Sequence, residues 1–162
     1  MRLELRASTA ADTRAIGAAF AVLLVPGDAV ALTGELGAGK TTFVQGLARG
    51  LGFAGAVVSP TFTLVREYRG GLLPIVHADV YRLDRVQDVV DLALEEEAED
   101  GVLLVEWGDA VEALLPRGHL VVELTLPGAG EERRVAVTAE GDPWALRWER
   151  LERALEPWSA AA

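Results

Sequence analysis

At 162 residues the chain is long enough to bury its own apolar core in one domain. With no cysteine it has neither disulfides nor a thiolate-held metal. Its formal net charge of −10 makes it a poor stand-alone binder of RNA or DNA, and no apolar run approaches the roughly 20 residues of a membrane span.

Leu3 and Leu5 alternate with charges, which predicts a short strand. Thr9 with Asp12 three residues on has the pattern of a capping box and predicts a helix to about Leu24. The apolar stretch Ile16–Val25 follows Arg14, but Glu4 and Asp12 stand where a secretory leader would be positive. Ile16, Phe20, Leu23 and Leu24 instead share one helical face, so a soluble, cytoplasmic protein is expected. Pro26-Gly27-Asp28 turns the chain into Val30-Ala31-Leu32, a short strand buried in the manner of a parallel sheet. A glycine-rich loop follows, then a helix from about Lys40 to Leu51 with Phe43, Leu47 and Leu51 on one face. Ser59–Val65 is loop entering strand, and Gly70-Gly71 signals a hairpin to Leu72–Val80, so antiparallel strands can sit beside the parallel core.

Asp84 with Gln87 opens another predicted helix, to about Glu99. Val102–Val105 is a second buried strand, ending in Glu106-Trp107, and a short helix is expected over Ala110–Leu115. His119–Leu126 and Arg133–Thr138 read as strands joined by a Pro-Gly turn. Trp144, Trp148, Leu151 and Leu155 mark the buried face of a terminal helix. There is no repeat, low-complexity tract or linker, so residues 1–162 are expected to form a single domain. The negative charge is concentrated in Asp84–Glu112, where eleven acids meet one arginine. That block reads as a solvated helix face or as a docking surface for a basic partner.

The chain has one lysine, Lys40; its other fourteen basic residues are arginine. Lys40 lies in Gly34-Glu35-Leu36-Gly37-Ala38-Gly39-Lys40-Thr41, which fits the phosphate-binding pattern G-x-x-x-x-G-K-[ST] between an apolar strand and a helix. Phosphate favours a compact, mobile ammonium there over the rigid fork of arginine. Glycines 34, 37 and 39 let backbone N–H groups turn inward, the helix start adds its positive dipole end, and the Thr41 hydroxyl is placed to ligate Mg²⁺. Magnesium also needs a carboxylate. Glu106 ends a buried strand as a Walker B acid does, or caps a helix; Asp79 shares a strand face with His77 and Ile75, or is a turn residue. Thr61 and Thr63 lie on one face of an extended segment, as γ-phosphate sensors do in switch loops and as ordinary strand threonines do. His77 reads as a structural hydrogen-bonding residue, and Trp107 as a core aromatic or a wall beside the nucleotide. Arg147, Arg150 and Arg153 recur at three-residue intervals, as a solvated face or as a contact for RNA or an acidic partner.

With these residues together, the chain resembles the TsaE (YjeE) family. The resemblance rests on Gly34–Phe43, Ser59-Pro60-Thr61-Phe62-Thr63-Leu64-Val65, His77-Ala78-Asp79-Val80-Tyr81-Arg82-Leu83 and Leu104-Val105-Glu106-Trp107, in that order and spacing, and spans about Ser8 to Trp107. It implies an α/β P-loop NTPase fold: a mixed, mostly parallel sheet flanked by helices, with an antiparallel hairpin. It implies a weak Mg²⁺-dependent ATPase that works with TsaB and TsaD, stimulated by these partners, in forming threonylcarbamoyladenosine beside the tRNA anticodon. ATP and Mg²⁺ are then the cofactors, and tRNA is reached only indirectly. By position, Lys40 and Thr41 take the phosphate and metal roles, Asp79 lies near the metal or the attacking water, and Glu106 matches the Walker B acid. Trp107 matches the tryptophan next to the nucleotide, and the segment around Ser8–Ala10, with Thr9, matches where the family touches base or sugar. The loop residues Gly34, Glu35, Leu36, Gly37, Ala38, Gly39 and Thr42 complete the nucleotide contacts. Two other functions fit a P-loop: a small-molecule kinase, which needs a lid carrying arginines, and a nucleotide-dependent binding module without turnover.

Overall fold

The chain is seen in a computed structural model that describes residues 1–60, 65–80, 93–106, 115–116, 118–139 and 141–160. Seven strands pair into one sheet: β1 (Arg2–Ala7), β2 (Ala29–Thr33), β3 (Val65–Tyr68), β4 (Ile75–Asp79), β5 (Val102–Glu106), β6 (Leu120–Thr125) and β7 (Arg133–Ala139). Their spatial order is β1-β7-β6-β2-β5-β4-β3. The central strands β6, β2, β5 and β4 run parallel. Antiparallel pairs close both sides, β3 on β4 at one and β6 on β7 on β1 at the other. Every residue of β2, β4 and β5 is buried, as expected for parallel strands covered on both faces. The free edge of β1 is blunted by the C-terminal segment, through the bridge of Leu5 to Ser159 and the Ala160 N–H to Glu4 carbonyl bond of 2.9 Å.

Period-two alternation sorts the strands' side chains between two layers. Val30, Leu32, Val102, Leu104 and Ile75 face one layer, which includes helices α1 (Ala10–Ala21) and α2 (Lys40–Gly50). Ala29, Leu103, Val105, Val76 and Ala78 face the other, where Leu94 and Ala98 pack at the ends of the short helix α3 (Leu94–Glu97). Thr9 caps α1 in a true capping box: its hydroxyl accepts the Asp12 N–H at 3.1 Å, and the Asp12 carboxylate accepts the Thr9 N–H at 3.2 Å.

Helices α1 and α2 pack with almost no space between their backbones. A Cβ at Gly17 would stand 2.2 Å from the Phe43 carbonyl oxygen, and one at Gly46 would stand 1.8 Å from the Arg14 carbonyl oxygen. The Phe20 and Phe43 rings meet edge to face beside this contact, 5.3 Å between centroids. Because α2 begins at the glycine-rich loop, this contact also fixes where that loop stands over the sheet.

The expected terminal helix is two helices, α4 (Asp142–Ala145) and α5 (Trp148–Leu155), followed by a 3₁₀ turn at Glu156–Trp158. At their join Arg147 turns inward. Its guanidinium holds Asp28 in a bidentate pair at 2.7 and 2.9 Å, donates to the Leu23 carbonyl at 2.7 Å, and lies 3.9 Å from the Trp144 ring centroid. Arg147 is therefore a clamp and not part of an arginine stripe; Arg153 pairs with Glu149 on the exposed side. Of the helix expected over 84–99, residues 93–99 are described and only Leu94–Glu97 is helical, opening at Ala93 with φ +50°; the helix expected over 110–115 lies almost wholly outside the described residues. Among the described residues no helix is long and apolar enough to cross a membrane.

The Gly46 contact makes a direct prediction. Gly46→Ala forces the two helices apart and should cost about 3 kcal/mol in urea unfolding, the upper range for overpacking. Gly128→Ala, where a Cβ meets nothing within 4 Å, should be near neutral.

Candidate nucleotide site

β2 ends at Thr33, and the chain makes one glycine-rich turn before α2 starts at Lys40. Gly34, Gly37 and Gly39 take φ values of +139°, +82° and +104°, which side-chain-bearing residues rarely adopt. At Gly34 a Cβ would also stand 2.4 Å from the Leu124 carbonyl oxygen, so β6 closes that position a second time. Gly39 is the N-cap of the eleven-residue α2 and supplies no side-chain cap. The first helical bond runs from the Phe43 N–H to the Gly39 carbonyl at 2.9 Å. The amides of Lys40, Thr41 and Thr42 thus precede the helix's own ladder, at its positive dipole end. Lys40 is only 6% exposed, and its ammonium folds back over the loop to donate to the carbonyls of Gly34 and Glu35. Glu35, Leu36 and Gly37 form the exposed rim, and Ala38 is buried beneath it.

Two carboxylates stand beside this loop. In the sheet register Leu32 pairs with Glu106, and Glu106 with Asp79. All three lie at or next to the carboxyl ends of parallel strands, where open α/β sheets bind ligands. Alternation puts Glu106 on the face of Val102 and Leu104, and Asp79 on the face of Ile75, both facing the layer that holds α2. Asp79 is 4% exposed and Glu106 3%.

His77, fully buried, ties Glu106 in place: Nε2 lies 2.7 Å from Glu106 Oε2, and Nδ1 lies 3.0 Å from the Tyr68 hydroxyl. The Tyr68 O–H donates to the Val58 carbonyl at 3.1 Å. A carbonyl can only accept and a phenol has one proton, so His77 Nδ1–H donates to the Tyr68 oxygen. Burial pushes the Tyr68 phenol above its ordinary pKa. The expected structural role of His77 holds, and its partner is the Walker B candidate itself. No local signal announces this contact, because Tyr68, His77 and Glu106 meet only across three strands.

The donor set fits magnesium. The Thr41 hydroxyl and the Asp79 and Glu106 carboxylates are hard oxygen donors. Among the described residues no group of three or more His, Cys, Asp or Glu side chains forms a self-sufficient metal cage. A P-loop ion needs none, since phosphate oxygens and water complete its shell.

Of the other expected site residues, Thr9 is the cap of α1, and the β6–β7 hairpin links it to the loop. Glu131 accepts the Ala10 N–H at 3.1 Å, while Arg133 donates Nε to the Ala38 carbonyl at 3.0 Å and Nη2 to the Gly37 carbonyl at 3.2 Å. Neither Glu131 nor Arg133 carries a motif that would have singled it out. Thr61, Thr63 and Trp107 lie outside the described residues.

A phosphate loop between a buried parallel strand and a helix, with acids at the ends of the two strands beyond it, is the P-loop NTPase arrangement. Comparison with known proteins narrows the class. The family model described as "Threonylcarbamoyl adenosine biosynthesis protein TsaE" matches residues 7–135. A relative from Bacillus subtilis (strain 168), named tRNA threonylcarbamoyladenosine biosynthesis protein TsaE, is 41% identical over 94% of this chain and 95% of its own length. One of the same name from Streptomyces coelicolor is 44% identical over 82% and 93%. The crystal structure of Bacillus subtilis YdiB superposes with a TM-score of 0.79 at 38% identity, over 94% of this chain and 95% of that one. The chain belongs to the TsaE family.

Tyr68→Phe leaves the His77 Nδ1–H buried without an acceptor. It should cost about 1–3 kcal/mol in urea unfolding, a larger loss than the hydroxyl's own size suggests.

Proposed function

We propose that the chain, acting as a single P-loop ATPase domain over residues 1–162, binds and hydrolyses ATP with Mg²⁺ in the biosynthesis of tRNA threonylcarbamoyladenosine, together with TsaB and TsaD. The observation that carries this reading is the row Leu32–Glu106–Asp79 beside the loop that holds Lys40. It lines up the two acids with the carboxyl end of the strand that enters the glycine-rich loop. The names of the relatives supply the pathway.

In this reading the backbone amides from Gly34 to Thr42 take the phosphates, and the Lys40 ammonium leaves the loop carbonyls for the β- and γ-phosphate oxygens. Thr41 with Glu106 or Asp79 would hold Mg²⁺, which would supply charge neutralisation on the phosphates. Glu106, oriented by His77, and Asp79 would place the attacking water or hold the metal. Thr61 and Thr63 sense the γ-phosphate, Trp107 walls the nucleotide, and Thr9 lies towards its base or sugar. ATP then holds the Thr61 segment and Glu106 in a state that binds TsaB–TsaD, and hydrolysis resets it. The net charge of −10 supports contact with tRNA through the partners and not directly.

The test is ATP turnover with and without purified TsaB–TsaD. Stimulation by the pair is expected; turnover that the pair leaves unchanged removes the assembly role. Lys40→Ala should abolish turnover, because the mobile charge on the transferring phosphate is lost. Near-normal hydrolysis by that variant would reject the site. Glu106→Ala should lower turnover by about 10²-fold, as loss of a proton-handling or water-placing group does, with a much smaller change in ATP affinity.

A further inference from the structure

We propose that Arg133 is a positioning residue that holds the phosphate loop in its nucleotide-binding shape; this rests on the nucleotide-site reading above. Arg133 opens β7, on the far side of β6 from β2, and reaches the loop across 95 residues of sequence. Its guanidinium makes four hydrogen bonds, all to carbonyl oxygens. Two go to the loop, at Ala38 and Gly37, and two to its own hairpin, at Glu132 (2.8 Å) and Gly130. Among the described residues Arg133 forms no ion pair. The cation therefore serves as a bracket between hairpin and loop, not as the partner of a carboxylate.

The bracket acts on the amides through peptide geometry. In a trans peptide the carbonyl and the following N–H point opposite ways, and the chain has no cis bond among the described residues. Holding the Ala38 carbonyl against Arg133 aims the Gly39 N–H away from it. Holding the Gly37 carbonyl aims the Ala38 N–H at the Glu35 carbonyl, 3.0 Å away, which closes the loop's own turn. Two consecutive peptide planes are fixed where glycines on either side would otherwise leave them free. Arg133 Nε lies 3.8 Å from where a Cβ on Gly39 would stand, so the guanidinium rests against the loop itself. A lysine's three donors radiate from one nitrogen and cannot bridge the two loop carbonyls to the two hairpin carbonyls as a planar fork does. Removing the bracket makes the loop pay its ordering entropy at each binding event.

The experiment compares wild type with Arg133→Met and Arg133→Lys in two measurements: affinity for fluorescent ATP and ADP analogues with Mg²⁺, and exchange of the Ala38 amide without nucleotide. Loss of two charge-assisted bonds to the loop should weaken ATP and ADP equally, by about tenfold, in both variants. The Ala38 amide, whose bond to the Glu35 carbonyl the bracket holds, should exchange faster in both. Unchanged affinity in Arg133→Met, or full rescue by lysine, overturns the bracket. A loss confined to ATP overturns it in favour of direct contact with the γ-phosphate. Should wild type itself bind neither nucleotide, the nucleotide-site reading fails, while Ala38 exchange still decides whether Arg133 holds the loop. Arg133→Lys keeps the charge and stem length needed for folding if Arg133→Met does not fold.

Discussion

Leu32, Glu106 and Asp79 stand abreast because three parallel strands keep one register, and the site depends on that row. Sheet faces alternate with a period of two, so a slip of one residue would turn Glu106 towards the opposite layer, away from α2. The slip is suppressed by burial on both faces. Val30, Leu104 and Ile75 are matched to one layer, and Ala29, Leu103 and Val76 to the other. The apolar residues at the start and middle of each strand thus decide where the acids at its end appear. Burying two carboxylates to 3% and 4% exposure is costly without partners. The contact from His77, itself held by Tyr68, answers that cost for Glu106 and at the same time fixes which way its second oxygen faces.

The phosphate loop is braced from three directions. β6 closes Gly34 through the Leu124 carbonyl, α1 presses α2 into position through Gly17 and Gly46, and the β6–β7 hairpin reaches the loop through Arg133. Glycine is required for the left-handed turns, yet it is also the residue with the most freedom to lose. A loop of this composition stays in one shape only when neighbours supply the restraint that its own side chains cannot. Ala38, buried under the rim, is the one loop side chain seated in the core cluster.

The cations divide by geometry. Arg133 and Arg147 both work as planar forks: Arg133 across backbone carbonyls, Arg147 across the two oxygens of Asp28 and one carbonyl. Each pins together segments far apart in sequence. Lysine is poorly suited to that task and well suited to follow a phosphate, and the chain's one lysine is in the phosphate loop.

Much of the architecture could be read from residues close together in the chain. The capping box at Thr9, the buried strands around Val30 and Val102, the hairpin at Gly70-Gly71 and the loop before Lys40 all depend on neighbours two to seven positions apart. Each appears with ends shifted by a few residues. The four motif blocks carried the TsaE resemblance, which the family model and relatives bear out. The terminal helix was legible as a buried face of Trp144, Trp148, Leu151 and Leu155, but not as two helices, because the join belongs to Asp28 of a distant turn. The sequence by itself determined the strands, the phosphate loop, its lysine and the candidate acids, since local periodicity and backbone stereochemistry suffice for those. Tertiary structure alone decided that His77 grips Glu106, that Arg133 brackets the loop and that Arg147 leaves its helix face. Those contacts join strands and loops 29, 95 and 119 residues apart, and no periodicity in the chain encodes which distant side chain a folded sheet will bring within 3 Å of another.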